Sequence, residues 1–330
     1  MPSNLDDPQA APELSGNWQR KIREANIRVH DRLAETYEDL HAEVRNWFQR
    51  KALQRDIRII ASLLTTEKYP DEALDGKRPR GWVLDLGCGT GDLLLRFLNL
   101  GFAVTGVDIS SGMIEAARWK LATAAGSKGP DGENGPGWEL IPQDVDLYIK
   151  EKSRPQPGEF MTRQPNNSGG WSGDGFKRSS EDPPFSVICF RSVLHHLPDY
   201  LGTLEASLGV LAGGGILYIA NEPLGREAVR EGWLSYHVLY WLDRLFDQVG
   251  LHLKGLRPLG SSEYDCSDYH RRRGSFDHSS LIEKVKGRGL VVKHYREFSL
   301  RKTGGGSWLD THLLRTANAF TLIAQKAPPE

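Results

Sequence analysis

The chain has 330 residues, of which 39% are hydrophobic and 26% are charged, and its formal net charge is −1. This balance predicts a globular protein with one large or two small domains, and it gives no support to a nucleic-acid partner. The three cysteines, Cys88, Cys189 and Cys266, lie too far apart for a metal-binding motif or a disulfide framework. We therefore expect no bound metal.

The sequence contains no apolar run of the roughly 18 residues that a membrane-spanning helix needs, so no membrane insertion is expected. Residues 1–7 lack the basic region and the apolar core of a signal peptide. Together with the low cysteine content, these features predict a cytoplasmic location.

The first 80 residues have the pattern of a helical segment. Residues 1–16 contain few apolar anchors and are expected to be disordered. Between residues 17 and 80, Val29, Leu33 and Tyr37 recur at spacings of four, which predicts helices followed by a linker. This helical cap is either a packing appendage or a lid over a ligand.

A strand at residues 82–86 runs directly into Gly87, Gly89 and Gly91, and the next residues read as a helix. Glycines at alternate positions permit backbone conformations that side chains disfavour, and they let a ligand approach closely. The second strand, 103–107, ends in Asp108, whose carboxylate can accept hydrogen bonds from two ribose hydroxyls. The pattern therefore predicts a site for a nucleoside-containing ligand.

The spacing of the glycines and one acidic residue indicate which nucleoside ligand fits. A dinucleotide site has the pattern G-x-G-x-x-G, whereas this chain has G-x-G-x-G with Asp85 just before it. A carboxylate facing the site would repel a pyrophosphate and would suit a ligand that carries an ammonium group and a sulfonium.

Further strands are predicted at 138–142, 185–190 and 216–220, and the last two, 290–295 and 319–324, are expected to form an antiparallel hairpin. Ser110 and Ser111 are expected to cap a helix. Another helix is expected to end at Leu211, before a glycine turn at 213–215.

Two segments interrupt this alternation of strands and helices. Residues 151–182 are rich in Pro, Gly, Ser and Asn, a composition that predicts a disordered insertion. Residues 225–278 contain an aromatic helical segment and then a polar loop, and we expect them on the acceptor side of the site. The aromatic segment could line a pocket, belong to the core or form a homodimer face.

Residues 85–91 together with Asp108 closely resemble motif I and the ribose-binding acid of the class I S-adenosylmethionine (SAM) methyltransferases. The resemblance covers residues of about 80–225, and it is to the small-molecule type related to the ubiquinone and menaquinone biosynthesis enzymes. It implies an α/β fold, with a Rossmann-like seven-stranded sheet, helices on both faces and a methyltransferase domain at 81–330.

The resemblance also implies the cofactor, SAM, and the residues that hold it. Tyr37 would lie near the methionine end, and Asp144 beside the adenine amine. The complete predicted set is Tyr37, Asp85, Gly87, Cys88, Gly89, Gly91, Asp108, Ile109, Met113, Asp144, Val145 and Arg191.

The sequence says less about the acceptor than about the cofactor, because methyl transfer mainly needs alignment of the reactants and needs a base only for a protonated acceptor. His195, Tyr269 and His270 are the catalytic candidates, although each could be purely structural. We expect a small-molecule acceptor and favour O-methylation. A tRNA or protein methyltransferase and a non-catalytic SAM-binding subunit remain alternatives.

Overall fold

A computed structural model describes residues 16–41, 46–64, 80–125, 137–153, 185–225, 227–230, 275–301 and 304–328. It also describes residues 238, 241, 242, 244, 245, 248, 249, 266–268 and 270. The predicted disorder at 1–15 and 154–182 lies outside these residues, as do most of the linker, most of the segment 225–278 and the catalytic candidate Tyr269.

Seven strands form a single sheet in the order β3-β2-β1-β4-β5-β7-β6. The first five strands pair in parallel, whereas β7 is antiparallel to both β5 and β6. The predicted α/β fold and its closing hairpin are therefore confirmed. The strands are β1 Trp82–Leu86, β2 Ala103–Asp108, β3 Trp138–Pro142, β4 Phe185–Arg191, β5 Leu211–Pro223, β6 Leu290–Phe298 and β7 Ala319–Lys326.

Helices cover both faces of this sheet. The cap comprises α1 Gly16–Leu33, a 3₁₀ turn Ala34–Thr36, α2 Tyr37–Leu40 and α3 Trp47–Leu64. A second 3₁₀ turn, Leu194–His196, follows β4. The other helices described are α4 Asp92–Asn99, α5 Ser111–Ala125, α6 Val145–Ser153, α7 Tyr200–Gly209, α8 His278–Gly287 and α9 Gly304–His312.

The core has two layers, because successive strand residues point to opposite faces of the sheet. Leu84 and Leu86 pack with apolar residues of α6, α7 and α8. Val83 lies in the other layer, with residues of α3, α4 and α5. Since α3 contributes Leu53, Ile57, Ile60 and Leu64 to that layer, this part of the cap is integral to the domain core.

Several boundaries differ from the sequence prediction, and those that change the interpretation of a segment are the following. α1 begins at Gly16, and residues 151–153 form the last turn of α6, so neither is part of a disordered segment. α7 ends at Gly209, not at Leu211, and residues 213–215 belong to β5. Residues 213–215 form a bulge in β5, because Phe185 pairs with Leu211 whereas Val187 pairs with Ile216, so β5 has extra residues between the two pairs. Gly214 within this bulge has a φ of 78°.

Two helices were not predicted, and they form for different reasons. The side chain of Asp144 accepts a hydrogen bond from Leu147 N at 3.0 Å, which caps α6. α9 begins with three glycines and so has a low intrinsic helix propensity. It is held by tertiary contacts instead, because Arg301 Nε lies 2.5 Å from Asp310 Oδ2, and both side chains are buried.

Within the residues that the structure describes, none of the helices combines the length and the apolar character that crossing a bilayer requires. The segment 238–249 exposes five large apolar side chains, Val238, Trp241, Leu242, Leu245 and Val249. The homodimer expected from this segment stays a prediction.

We expect Asp310→Ala to destabilise the fold by about 3–5 kcal/mol, because it leaves the Arg301 guanidinium buried without its carboxylate. Glu24→Ala is the matched control, since Glu24 forms ion pairs at 3.8 and 3.9 Å but is half exposed, and its loss should cost about 0–1 kcal/mol. Urea unfolding of the two variants measures the difference. Equal losses of unfolding free energy would contradict the structural role given to Asp310.

Candidate functional site

The glycine turn after β1 has a left-handed backbone at each of its three glycines. The φ angles are 80° at Gly87, 50° at Gly89 and 77° at Gly91. A Cβ on Gly87 would lie 2.3 Å from Val193, and one on Gly91 would lie 3.1 Å from Ala117, so these two positions are needed for packing. A Cβ on Gly89 would meet no described atom within 4 Å, which means that Gly89 faces open space.

Asp108, at the end of β2, holds the glycine turn in place. Its Oδ2 accepts a hydrogen bond from Gly89 N at 2.9 Å, and its Oδ1 accepts one from Ser110 N at 2.9 Å. Burial raises the pKa of Asp108, while nearby His30 and the two backbone N–H groups act in the opposite direction. Each carboxylate oxygen can accept a further hydrogen bond, so the group can still bind two hydroxyls.

Asp85 is a buried carboxyl group with unused hydrogen-bonding capacity. Its side chain is almost fully enclosed, and its Oδ1 has no hydrogen-bond partner among the described residues. Burial raises the pKa of Asp85 to about 7; the charge of Arg191 opposes that rise, and Asp108 adds to it. An unsatisfied buried oxygen of this kind is costly, and a ligand that supplies a cationic donor would remove the cost.

These groups open onto one continuous cleft at the carboxyl ends of the parallel strands, where ligands of such sheets bind. Its two parts have volumes of about 390 and 630 Å³, which include open solvent, and both are lined by Tyr37, Gly87, Gly89, Arg191 and Ser192.

Of the twelve residues that the resemblance implies, eleven line this cleft. Gly91 does not, because it packs against α5. The eleven are Tyr37, Asp85, Gly87, Cys88, Gly89, Asp108, Ile109, Met113, Asp144, Val145 and Arg191.

The cap supplies a wall of the cleft that was not predicted. Arg23, Asn26 and His30 lie on one side of α1 and line the cleft opposite the sheet. Arg23 Nε forms an ion pair with Asp144 Oδ2 at 2.9 Å. The signal in the sequence is the spacing of three and four between these polar residues, which places them on one helical face.

Two further contacts join the cap to the cofactor side of the cleft. Asp31 Oδ1 accepts hydrogen bonds from Ser110 Oγ at 2.6 Å and from Gly112 N at 3.0 Å. Glu38 accepts a hydrogen bond from Thr90 Oγ1 at 2.7 Å and forms an ion pair with Lys120. Burial and the nearby charge of Arg191 lower the pKa of Lys120 to about 8.

Ser192 marks the cleft end of β4. It has a φ of 56°, which is unusual for a residue other than glycine, and its Oγ is buried with no hydrogen-bond partner among the described residues. Backbone strain and an unsatisfied hydroxyl at a cleft wall are features that cluster at ligand sites. No feature of the sequence pointed to Ser192.

The structure places two of the catalytic candidates behind the cleft wall. His195 is buried, and its Nδ1 lies 2.8 Å from Glu222 Oε2. His270 is also buried, with Nε2 bonded to the Leu197 carbonyl at 2.9 Å and Nδ1 to Ser275 Oγ at 2.9 Å. Burial lowers the pKa of His270. Neither side chain lines the cleft, so the expectation that they face the acceptor is not supported.

The imidazole that does line the cleft is that of His196, together with the imidazole of His30. Their rings meet edge to face, with centroids 5.3 Å apart. Burial, reinforced by the neighbouring His195, lowers the pKa of His196 to about 3, so its ring is neutral at physiological pH.

The comparison with known families agrees with this geometry. A family model described as "Methyltransferase domain" matches residues 48–294, which is about three quarters of the chain. The chain belongs to this methyltransferase family. The resemblance to SAM-dependent methyltransferases is thereby confirmed, and the family implies SAM as cofactor.

Curated relatives match over short stretches. "Putative methyltransferase YqeM" of Bacillus subtilis (strain 168) is 42% identical over 45 residues, which are 14% of this chain and 18% of that protein. "Putative methyltransferase GWCH70_2453" of Geobacillus sp. (strain WCH70) is 47% identical over 45 residues, with the same coverage of 14% and 18%. The chain thus spans less than a fifth of the length of the curated relatives it matches.

Among solved structures, the SAM-bound magnesium protoporphyrin IX methyltransferase (ChlM) from Synechocystis PCC 6803 is similar. The two are 14% identical, the match covers 92% of this chain and 97% of that one, and the TM-score is 0.45.

We expect SAM affinity to rise with pH up to about 7, because only the ionised form of Asp85 can pair with the ammonium group of SAM. Below that pKa, binding must first remove a proton, which costs up to tenfold in affinity for each pH unit. Calorimetric titration between about pH 5.5 and 7.5 measures this slope. Asp85→Asn should bind SAM more weakly, and its affinity should not change with pH over this range. An equally steep pH dependence in this variant would refute the pairing of Asp85 with the ammonium group.

We expect Gly89→Ala to weaken SAM binding at least tenfold, because the added Cβ would enter the space that the ligand occupies. Gly289→Ala is the control, since Gly289 also has a positive φ of 76° and open space around it but does not line the cleft. Both variants should lose about 1 kcal/mol of stability from backbone strain. Equal SAM affinity in the two variants would show that the cofactor does not lie against Gly89.

Proposed function

We propose that this protein transfers the methyl group of SAM to a small-molecule acceptor, with a hydroxyl oxygen as the favoured point of attack. The observation that carries the proposal is a single cleft that holds an unsatisfied Asp85 carboxyl group at one end and imidazole rings at the other.

The residues present fit SAM. Asp108 would accept hydrogen bonds from the ribose hydroxyls, and the open face of Gly89 would let the ligand approach the turn. Asp85 would pair with the ammonium group, near Tyr37, Gly87, Cys88 and Arg191. Ile109, Met113 and Val145 would enclose the adenine, with Asp144 beside its amine. Gly91 contributes by packing.

When bound, SAM supplies an activated methyl group, so the chain's own task is alignment. Alignment of two reactants can lower a barrier by roughly 7–11 kcal/mol. Arg23, Asn26 and His30 form the wall of the cleft that faces the ends of the strands. This wall limits the size of the methyl acceptor, which has to fit in the space that SAM leaves. The same cleft must also hold SAM, so this enclosure favours a small acceptor.

The preference for oxygen rests on the two imidazoles that line the cleft. His30 Nδ1 lies 2.8 Å from the Asn26 carbonyl and His196 Nδ1 lies 2.6 Å from the Ser267 carbonyl. A carbonyl oxygen can only accept, so both Nδ1 atoms donate, and in the neutral form of each ring Nε2 is left as an acceptor for a hydroxyl hydrogen. His195, Tyr269 and His270 stay as candidates that would act by positioning.

We expect methyl label from SAM to appear in the small-molecule fraction of an extract of the source cells. The fraction is separated by size after incubation with the protein, and the acceptor is then identified by its mass increase. Gly289→Ala should label the same compound, whereas Gly89→Ala should not at limiting SAM. Label in RNA or protein would replace this proposal by the macromolecular alternative, and absence of label with intact SAM binding would indicate a non-catalytic protein.

A further inference from the structure

Two histidines and an aspartate converge directly behind the cleft wall. His195, His196 and Asp268 each offer one ligand atom, and these atoms all lie within 4.8 Å of one another. Asp268 Oδ1 is 3.8 Å from His195 Nε2 and 3.6 Å from His196 Nδ1. The cluster joins the 3₁₀ turn after β4 to the segment 266–268, and neither was expected to bind a metal.

Glu222 fixes the orientation of His195. Its carboxylate accepts backbone hydrogen bonds from Val193 at 2.7 Å, Leu194 at 3.0 Å and His195 at 3.2 Å. The remaining contact, at 2.8 Å, is with His195 Nδ1, which must be the donor because the carboxylate accepts. In the neutral ring Nε2 therefore carries the lone pair, and it is the atom nearest Asp268.

This arrangement is the one that proteins use to prepare a histidine for metal binding. Metal-ligating histidines usually donate their other ring N–H to a carboxylate, which sets the tautomer and increases the basicity of the ligand. Here the carboxylate is fully buried and already fixed by three backbone donors, so the orientation of the His195 ring is set before any ion arrives.

The distances also suit an ion. At 3.6 and 3.8 Å the nitrogens are too far from Asp268 Oδ1 for hydrogen bonds. Ligands held about 2.0–2.2 Å from a tetrahedral metal lie roughly 3.3–3.6 Å apart, so both nitrogens already lie near the required distance from Asp268 Oδ1, and side-chain rotation would have to bring all three atoms around the ion.

We propose that His195, His196 and Asp268 form a binding site for a divalent first-row transition metal ion. Two imidazoles and one carboxylate are a ligand set that suits zinc, iron or manganese better than calcium or magnesium. His196 Nδ1 now donates to the Ser267 carbonyl at 2.6 Å, and on metal binding it would exchange that bond for the ion, with the ring hydrogen on Nε2.

The position of the site would let the ion act on the cleft wall. His196 lines the cleft, so an ion held at its Nδ1, behind the wall, would fix the ring and turn the Nε2–H group toward the cleft. That group would donate a hydrogen bond to an acceptor oxygen, and His30 would be the imidazole left to accept the hydroxyl hydrogen. This role rests on the proposed function, whereas the metal site itself does not.

The test is a calorimetric titration of the chelator-treated full-length protein with Zn²⁺ alone and then with Mn²⁺ alone, without SAM or acceptor. We expect one high-affinity site for one of these ions. His196→Gln and Asp268→Asn should each weaken binding at least tenfold, whereas His312→Gln, which alters an exposed histidine of α9 outside the cluster, should bind as the wild type does.

Melting temperature and SAM titration of each variant separate loss of the site from loss of the fold. Asp268→Asn should keep the melting temperature and the SAM affinity of the wild type, because the new side chain has the same shape and the position is partly exposed. Wild-type protein that binds neither ion, or ion binding that is unchanged in both His196→Gln and Asp268→Asn, would overturn the proposal. Because no methyl transfer is measured, either outcome leaves the proposed function to its own test.

Discussion

The site depends on the two backbone hydrogen bonds that Asp108 accepts. One fixes Gly89 in the turn after β1, and the other fixes Ser110 at the start of α5. These two segments belong to neighbouring β–α units, and the ligand has to fit between them. One side chain therefore ties the two segments together, and each of its oxygens can still accept a further hydrogen bond.

The cap is attached around the same opening. Asp31 bonds to Ser110, Glu38 bonds to Thr90 of the glycine turn, and Arg23 pairs with Asp144. Each contact ends on a residue that lines the cleft or adjoins one that does. The cap is therefore attached to both sides of the cleft opening, which favours its interpretation as a lid over that of a packing appendage.

The sequence predicted the sheet and the glycine turn from local signals, whereas the resemblance to a known family supplied most of the other residues that line the cleft. Continuous apolar runs identify buried strands, and glycines at alternate positions followed by an acid at the end of the next strand identify the turn. Local patterns do not encode tertiary packing, and three features of the cleft depend on it. These are the side of α1 that faces the cleft, the Ser192 hydroxyl without a partner among the described residues, and the presence of His196 in place of His195 at the cleft wall. His195 and Asp268 illustrate the limit, since 73 positions separate two atoms that lie 3.8 Å apart.

The outer edges of the sheet determine how copies of this protein can meet. β6 forms one edge, and its pairing with β7 skips Lys293, because Val292 pairs with Ala324 and His294 with Ile323. A bulge with an exposed lysine interrupts the row of free backbone groups that another strand would need. The opposite edge, β3, is five residues long and ends in a proline. Both edges thus disfavour strand-to-strand pairing between copies, which favours assembly through helices or loops.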